Sequence, residues 1–507
     1  MFAAVSSATL LGVEGHHVTV EVHASNGALP GFTMVGLPDE VCREARDRVR
    51  AAIISSGLSW PSQLRVTVNL APSSQRKVGS GTDLAIAIGV MIASDYLPPE
   101  CTDGFGFVGE LGLDGSLRHV AGIAPSVAAL GDLHPVVPAA GRLEAEVIAT
   151  KRVYVARNLR EVVDALKGDA GWPTPPAETV VDEVVWTPDL ADVRGQPLAR
   201  QALEISAAGG HHLLFVGPPG SGKTMLAQRM PGLLPALAPD VALMATMVHS
   251  AAGVRLPPSG LVTRAPYRAP HHTSSIVALV GGGTSTLRPG EISLAHGGAL
   301  FLDELGEFAP TVLDGLRQPL EEGVVRVARA RATATLPARF LLLAATNPCP
   351  CGGGSPGACQ CDDGAKARYL RRLSGPLLDR FDLRVAVHRP EVDQLMDGEG
   401  GESTADVAVR VAVARSLAMQ RQGCLNSTIH SSDLDMYAPL SSTAHQRLRS
   451  ELERDRLTGR GYHRIRRVAR TIADLDAMQP QKVGIEHVEM ALQFRVRLSP
   501  MMRGRAA

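Results

Sequence analysis

Apolar and polar positions divide this chain into three stretches with different periods. Over residues 1–168, segments such as VTVEVHA (18–24) and LRVTVNL (64–70) alternate strictly, the period of a half-buried strand, and PVV before VPAA continues the pattern. The run Asp39–Ser56 repeats every three to four positions and predicts a helix. Leu84–Ala93 is the longest apolar run; it is too short to cross a bilayer and predicts a buried helix. Residues 169–187 contain GWPTPPAET, whose prolines extend the backbone and read as a linker. From 188 to 390 the runs HHLLFVG, GALFLDEL and RFLLLAATN are unbroken, with helical stretches and Gly-rich turns between them. Continuous apolar strands of this kind predict a parallel sheet covered by helices on both faces. Residues 391–507 read as helical throughout, with 406–422 and 461–477 the clearest amphipathic stretches and MDGEGGEST (396–404) a loop. The fold class is α/β in three parts.

Composition narrows the function. Of 507 residues, 45% are apolar and 20% charged, the values of an ordinary globular protein. Aromatics make up only 4%, which argues against a platform that stacks single-stranded bases. Lys+Arg and Asp+Glu are both 51, so contact with nucleic acid must come from local basic patches. The amino terminus MFAAVSSATLLG lacks the basic segment of a secretory signal, and four of seven cysteines crowd into thirteen residues. Both features lead us to expect a cytoplasmic protein with no membrane segment and reduced thiols.

Four segments carry chemistry. Gly217-Pro218-Pro219-Gly220-Ser221-Gly222-Lys223-Thr224 follows the apolar strand 213–216 and fits G-x-x-x-x-G-K-[ST]. Its backbone N–H groups would turn inward on phosphates, Lys223 would reach the β- and γ-phosphates, and Thr224 would ligate Mg²⁺. About 80 residues later, Asp303 and Glu304 end an apolar strand; Asp303 would hold Mg²⁺ and Glu304 would take the proton of the attacking water. A third strand, 340–345, leads to Asn347, placed to bond the γ-phosphate and that water. Arg380, in GPLLDRFD, could stabilise the charge of phosphoryl transfer from a neighbouring copy; its plain alternative is a salt bridge to Asp379 or Asp382. ATP and Mg²⁺ are the expected ligands.

With RAPHH (268–272), GGG (281–283), PGEISLAH (289–296), LRQPLE (316–321), NPCPCG (347–352) and SGPLLDRFD (374–382), these motifs resemble the Mg-chelatase-like branch of AAA+ ATPases, and within it the YifB/ComM group. The resemblance implies a homohexameric ring, an AAA+ core (188–390), a helical lid (391–507), an insertion at about 262–292 and a β-hairpin at about 323–337. It also implies Arg380 as a finger acting in trans and Arg460 as the lid arginine that senses nucleotide. Residues 1–168, through RKVGSGTDL (76–84) and GELGLDGSLR (109–118), are similar to the Lon-protease fold, a relative of ribosomal protein S5 domain 2. Matched position by position, Gly81 stands where that fold carries its serine and Ala124 where it carries its lysine, so protease chemistry has no nucleophile and no base.

Cys349, Cys351, Cys359 and Cys361 bracket a Gly-rich segment and could hold one structural Zn²⁺; the alternative is a loop of reduced thiols. Arg326, Arg329 and Arg331 in the hairpin, with Arg268, His271, His272 and Arg288 in the insertion, would give sequence-independent contacts to DNA phosphates, or else bridge subunits. The leading expectation is a motor that translocates on single-stranded or branched DNA and promotes branch migration. Metal insertion into a tetrapyrrole with a partner, and remodelling of protein partners, are the other two readings.

Overall fold

The structure, a computed structural model, describes residues 1–26, 29–74, 76–174, 187–283, 287–329, 332–353, 359–373, 375–391, 393, 396 and 400–496. Most of the expected linker (175–186) and part of the expected loop (397–399) lie outside the described residues.

The alternating segments near the amino terminus form strands β1 (Phe2–Leu11), β2 (Glu14–Ser25), β3 (Gly31–Val35) and β4 (Arg65–Ala71). β5 (Phe105–Phe107), the small pair β6 (Glu110–Leu111) and β7 (Leu117–Arg118), β8 (His134–Pro138) and β9 (Tyr154–Ala156) follow. All but the small pair join one seven-stranded mixed sheet ordered β3-β4-β2-β1-β5-β8-β9. Helix Glu40–Ser55 covers it, capped by the Asp39 carboxylate accepting from the Cys42 N–H at 2.8 Å and burying Ala45, Val49, Ala52 and Ile53. Helix Asp83–Ala93 is apolar on every side and all eleven of its residues are buried. No helix among the described residues is long and apolar enough to cross a membrane.

The continuous apolar runs form a second sheet, entirely parallel. Its strands are β10 (Leu213–Val216), β11 (Tyr267–Arg268), β14 (Ala299–Leu302), β17 (Leu341–Thr346) and β18 (Leu383–Ala386). Their order is β11-β14-β17-β10-β18. Every residue of β10, β14 and β17 is buried, as helices on both faces require. β17 runs one residue later than the expected 340–345, because Thr346 still pairs with Val216 and its carbonyl accepts from the Gly217 N–H at 3.2 Å.

Two insertions extend from this sheet. One holds helix Ile276–Val280 and the short ladder β12 (Gly281–Gly282) with β13 (Arg288–Pro289). Gly281, Gly282 and Gly283 stand at φ +101°, +139° and +153°, a region that strains any residue bearing a Cβ. The other is the hairpin β15 (Val324–Arg329) and β16 (Ala332–Pro337), whose Val325, Val327, Ala334 and Leu336 are buried. Both insertions share one core with β14, and Val13 at the β1–β2 turn packs into it from the amino-terminal sheet.

The carboxy-terminal part is not helical throughout. Helices Thr404–Gln422, Ser442–Glu453, Gly459–Leu475 and Ile485–Gln493 are joined by 3₁₀ turns and by a bridge between Leu440 and Val483. Val407, Val411, Val468 and Ile472 pack with Leu203 of helix Pro197–Gly209, so these helices share a core with the parallel sheet. Arg466 and Arg470 are buried and bonded to the carbonyls of Leu434 and Ala438 and to Asp474. That Arg-rich face is packing surface.

Candidate functional site

Parallel strands deliver their following residues to one edge, and ligands of such sheets bind there. Gly217 follows β10, Asp303 follows β14 and Asn347 follows β17, so three of the expected segments meet at the carboxyl edge. Gly220 and Gly222 stand at φ +75° and +90°, which lets the loop turn its N–H groups inward before helix Lys223–Ala227. The Lys223 ammonium donates to the carbonyls of Gly217 and Pro218 at 2.8 Å and to Asn347 Oδ1 at 3.3 Å. Burial lowers its pKa from the ordinary lysine value, and Asp303 and Glu304 oppose that shift.

Thr224 Oγ1 donates to Asp303 Oδ2 at 2.6 Å, so a hydroxyl and a carboxylate from two elements converge at one point. That pair of hard oxygens fits Mg²⁺, which takes few protein ligands and keeps several waters. Ser221 Oγ, inside the loop, is buried with no hydrogen-bond partner among the described residues, as a loop built to hold an anion would leave it. Asp303 Oδ1 accepts the Glu304 N–H at 2.8 Å, and Glu304 itself holds a left-handed backbone (φ +51°). Its carboxylate meets His272 Nδ1 at 2.9 Å.

Arg380 sits at the opposite edge. β18 pairs with β10 from Leu383↔Leu213 to Ala386↔Val216, and the Asp382 N–H donates to the His212 carbonyl at 3.0 Å. Four strand residues therefore separate Arg380 from the loop of its own chain, about 13 Å along the sheet. The salt bridge weighed as the plain alternative for Arg380, to Asp379 or Asp382, does not form: its partner is Glu321, Asp382 meets His211 and Arg464, and Asp379 meets Arg384. Arg380, Arg460 and Arg464 line one cavity of about 490 Å³ with Glu321 and Asp379. Burial, with the two neighbouring arginines, holds Arg380 below the ordinary guanidinium range.

The sequence that carries these residues matches known sequences over most of the chain. The family described as magnesium chelatase, subunit ChlI, covers residues 189–395, its carboxy-terminal part covers 401–495, and subunit ChlI of Mg-chelatase covers 20–139. The competence protein ComM of Haemophilus influenzae is 43% identical over 501 residues, 97% of each chain. The chain belongs to the Mg-chelatase-like YifB/ComM family of AAA+ ATPases. An uncharacterised protein YifB of Escherichia coli is 42% identical over 494 residues, covering 97% of this chain and 96% of its own. A partial match, 27% over 175 residues, covers 34% of this chain and 22% of a probable DNA helicase MCM9 of Arabidopsis thaliana. Membership of this AAA+ family brings ATPase activity with it.

In the cysteine cluster, the four Sγ atoms lie within 4.8 Å of one another, so these residues could hold a metal. Cys349 Sγ is 3.4 Å from Cys351 and 3.6 Å from Cys359, and Cys351 is 3.7 Å from Cys359. Tetrahedral zinc with Zn–S near 2.3 Å requires sulfurs about 3.8 Å apart, so the donor set fits. The Gly353 N–H, the Cys361 thiol and the Gln360 N–H lower Cys351 to about 6, while the same pairing raises Cys361 to about 11. The intervening residues 354–358 lie outside the described residues.

The basic residues are less available than the sequence suggests. Arg268 is committed to Glu291 through two bonds of 2.6 and 2.7 Å, which removes it from the candidate DNA contacts. Arg326 pairs with Glu322, while Arg288 and His271 are exposed. Arg331 and the side chain of Arg329 lie outside the described residues. In the amino-terminal part, Gly81 in a turn and Ala124 in helix Ile123–Leu130 offer neither a nucleophile nor a base. Ser80, one position off, bonds Glu110, and the Ala124 N–H donates to Glu144 Oε1 at 2.9 Å and Ser250 Oγ at 3.2 Å.

Some site residues carried no sequence motif. Gln196 donates to the Ser221 carbonyl at 3.3 Å and lines a cavity of about 570 Å³ with Arg200, Glu204, Glu402 and Val407. Tyr369 bonds Thr346 at 3.0 Å beneath Asn347, and Arg389, three residues past β18, reaches the Pro219 carbonyl at 3.2 Å. The position of Arg389 just beyond a parallel strand was the one signal that could have found it.

Proposed function

We propose that the chain is an ATP-hydrolysing motor that assembles as a homohexamer and translocates on DNA, promoting branch migration in recombination or transformation. The observation that carries the hydrolytic part is the convergence of Lys223, Thr224, Asp303, Glu304 and Asn347 at one sheet edge. In this reading the loop N–H groups and Lys223 bind the phosphates, and Asn347 orients the attacking water. Glu304 takes its proton as the water oxygen attacks the γ-phosphorus and ADP departs. Thr224, and Asp303 through water, would hold Mg²⁺, which would supply positive charge against the phosphate oxygens. The cavity beside Gln196 receives the nucleoside end.

Arg380 is separated from its own loop, which supports a site completed by a neighbour, with Arg460 and Arg464 on the same donated face. Residues 391–507 act as the lid. Residues 1–168 form a Lon-like domain without the dyad, used as a support. The cysteine cluster holds structural Zn²⁺ and takes no part in the reaction, because four protein ligands leave no open position.

The DNA reading rests on the hairpin arginines and Arg288, on the competence relative and on the partial likeness to a probable DNA helicase. Single-stranded or forked DNA should stimulate ATP turnover, and Arg326→Ala with Arg329→Ala and Arg331→Ala should remove that stimulation. Strand displacement by the purified protein tests it directly. DNA-insensitive turnover that requires a tetrapyrrole and a partner subunit would favour the metal-insertion reading instead, to which the chelatase likeness also points.

A further inference from the structure

Arg268, Arg326 and Arg380 are each committed to a carboxylate, those of Glu291, Glu322 and Glu321. Arg389 instead meets the phosphate loop itself: its Nε and Nη2 donate to the Pro219 carbonyl at 3.4 and 3.2 Å. A guanidinium carries its N–H groups in a planar fork, and one carbonyl takes up only part of it. Nη1 and the second hydrogen of Nη2 remain to donate, and the residue is exposed.

The chain fixes where this cation stands. β18 lies beside β10, and one residue past both strand ends the register holds, with the Val387 N–H donating to the Val216 carbonyl at 2.8 Å. A Cβ on Gly217 would come 2.1 Å from the Val387 carbonyl oxygen, so the loop leaves β10 in direct contact with the segment that leads to Arg389. The next carbonyl, that of His388, accepts from Gln196 Nε2, which also donates to the Ser221 carbonyl of the loop at 3.3 Å. Gln196 lines the cavity assigned above to the nucleoside end.

β10 therefore has two flanks. Asp303 and Asn347, assigned to the Mg²⁺ and γ-phosphate end, follow β14 and β17 on one side of it. Arg389 follows β18 on the other side, with Gln196. A phosphate chain seated in the loop would turn its γ end to the first flank and its α end to the second. Phosphate oxygens match a guanidinium fork in both charge and shape, whereas a neutral carbonyl answers little of its charge.

We propose that Arg389 is a nucleotide-binding residue that donates to the α-phosphate oxygens, with the Pro219 carbonyl orienting its fork. It acts from the same chain as Lys223, at the other end of the phosphate chain, and takes no part in cleavage. This role presupposes the nucleotide site proposed above.

The test measures binding of ADP and of the non-hydrolysable analogue AMP-PNP to the full-length protein and to its Arg389→Ala, Arg389→Lys and Lys223→Ala variants, beside steady-state ATP turnover. Both ligands carry the α-phosphate, so Arg389→Ala should weaken both by about ten-fold, the size of one hydrogen bond to a charged group. KM for ATP should rise by the same factor while kcat stays within about two-fold, because the lost contact is made equally in the ground and transition states. Lysine keeps the charge, so Arg389→Lys should recover most of the affinity. The two diastereomers of ADPαS, in which sulfur replaces one or the other α-oxygen, separate ligand contact from support of the loop: their affinity ratio should differ between the parent and Arg389→Ala. A loss confined to AMP-PNP places the arginine at the γ end and overturns the assignment. Unchanged ADP affinity, or a loss with an unchanged diastereomer ratio, overturns it as well, in protein of parental melting temperature. A parent that binds neither ligand, or Lys223→Ala that binds both as the parent does, would instead remove the nucleotide site itself.

Discussion

Asp303 and Glu304 are neighbours in sequence yet meet different partners: Thr224 for the first, His272 for the second. Glu304 stands in a left-handed turn, and the two neighbouring carboxylates meet partners from different elements, as the two proposed tasks require. The loop, the acid pair and Asn347 were legible in the sequence because each sits within a few residues of its own strand. His272 was not legible in that role, because its partner is fixed only by the packing of an insertion. The cysteines are an intermediate case: their spacing proposed a metal and their sulfur separations fit one. Purified protein should carry about one zinc per chain, lost in Cys351→Ser, as four thiolates around one ion require. Metal analysis decides it, and metal-free protein of unchanged melting temperature would contradict the zinc site. Gly352 lies against the loop, where a Cβ would come 2.5 Å from Pro219, so zinc loss should also weaken ATP binding.

At the scale of elements, the parallel strands were visible as unbroken apolar runs, but their amino ends were not. There His212 Nδ1 accepts the Leu342 N–H at 3.0 Å, and His296 Nδ1 accepts the Arg339 N–H at 3.2 Å. Acceptor rings are neutral, and burial lowers both from 6.5 to about 4. In an unfolded chain the same rings gain protons near 6.5, so the fold keeps its full stability above that pH. It loses up to about 3 kcal/mol per ring as pH falls towards 4. His212→Gln retains an acceptor and cannot titrate. Its melting temperature should fall less between pH 7 and 5 than that of the parent, and an equal fall would remove His212 from the account. The glycines 281–283 teach the same lesson: the sequence marks them as unusual, and only their backbone angles explain why.

At the scale of the molecule, the three-part division follows composition and period, whereas the shared cores do not. Val13 packs beneath the hairpin, and the carboxy-terminal helices pack on helix Pro197–Gly209, contacts that no local pattern announces. Arg380 is the residue whose placement reaches beyond one chain. It lies with Arg460 and Arg464 at the sheet edge remote from Lys223, the placement on which the proposal of a site shared by two copies joined head to tail rests. Lys223→Ala and Arg380→Ala should each abolish turnover alone, the first by removing the phosphate cation and the second by removing the donated one.

The most direct measurement mixes the two inactive proteins. With random assembly at equal amounts, about a quarter of the interfaces pair an intact loop with an intact Arg380, so ATP turnover should return to about that fraction of the parent rate. A mixture that exchanges subunits yet remains as inactive as its components, or an Arg380→Ala protein that turns over ATP at the parent rate, would contradict a site shared between neighbours.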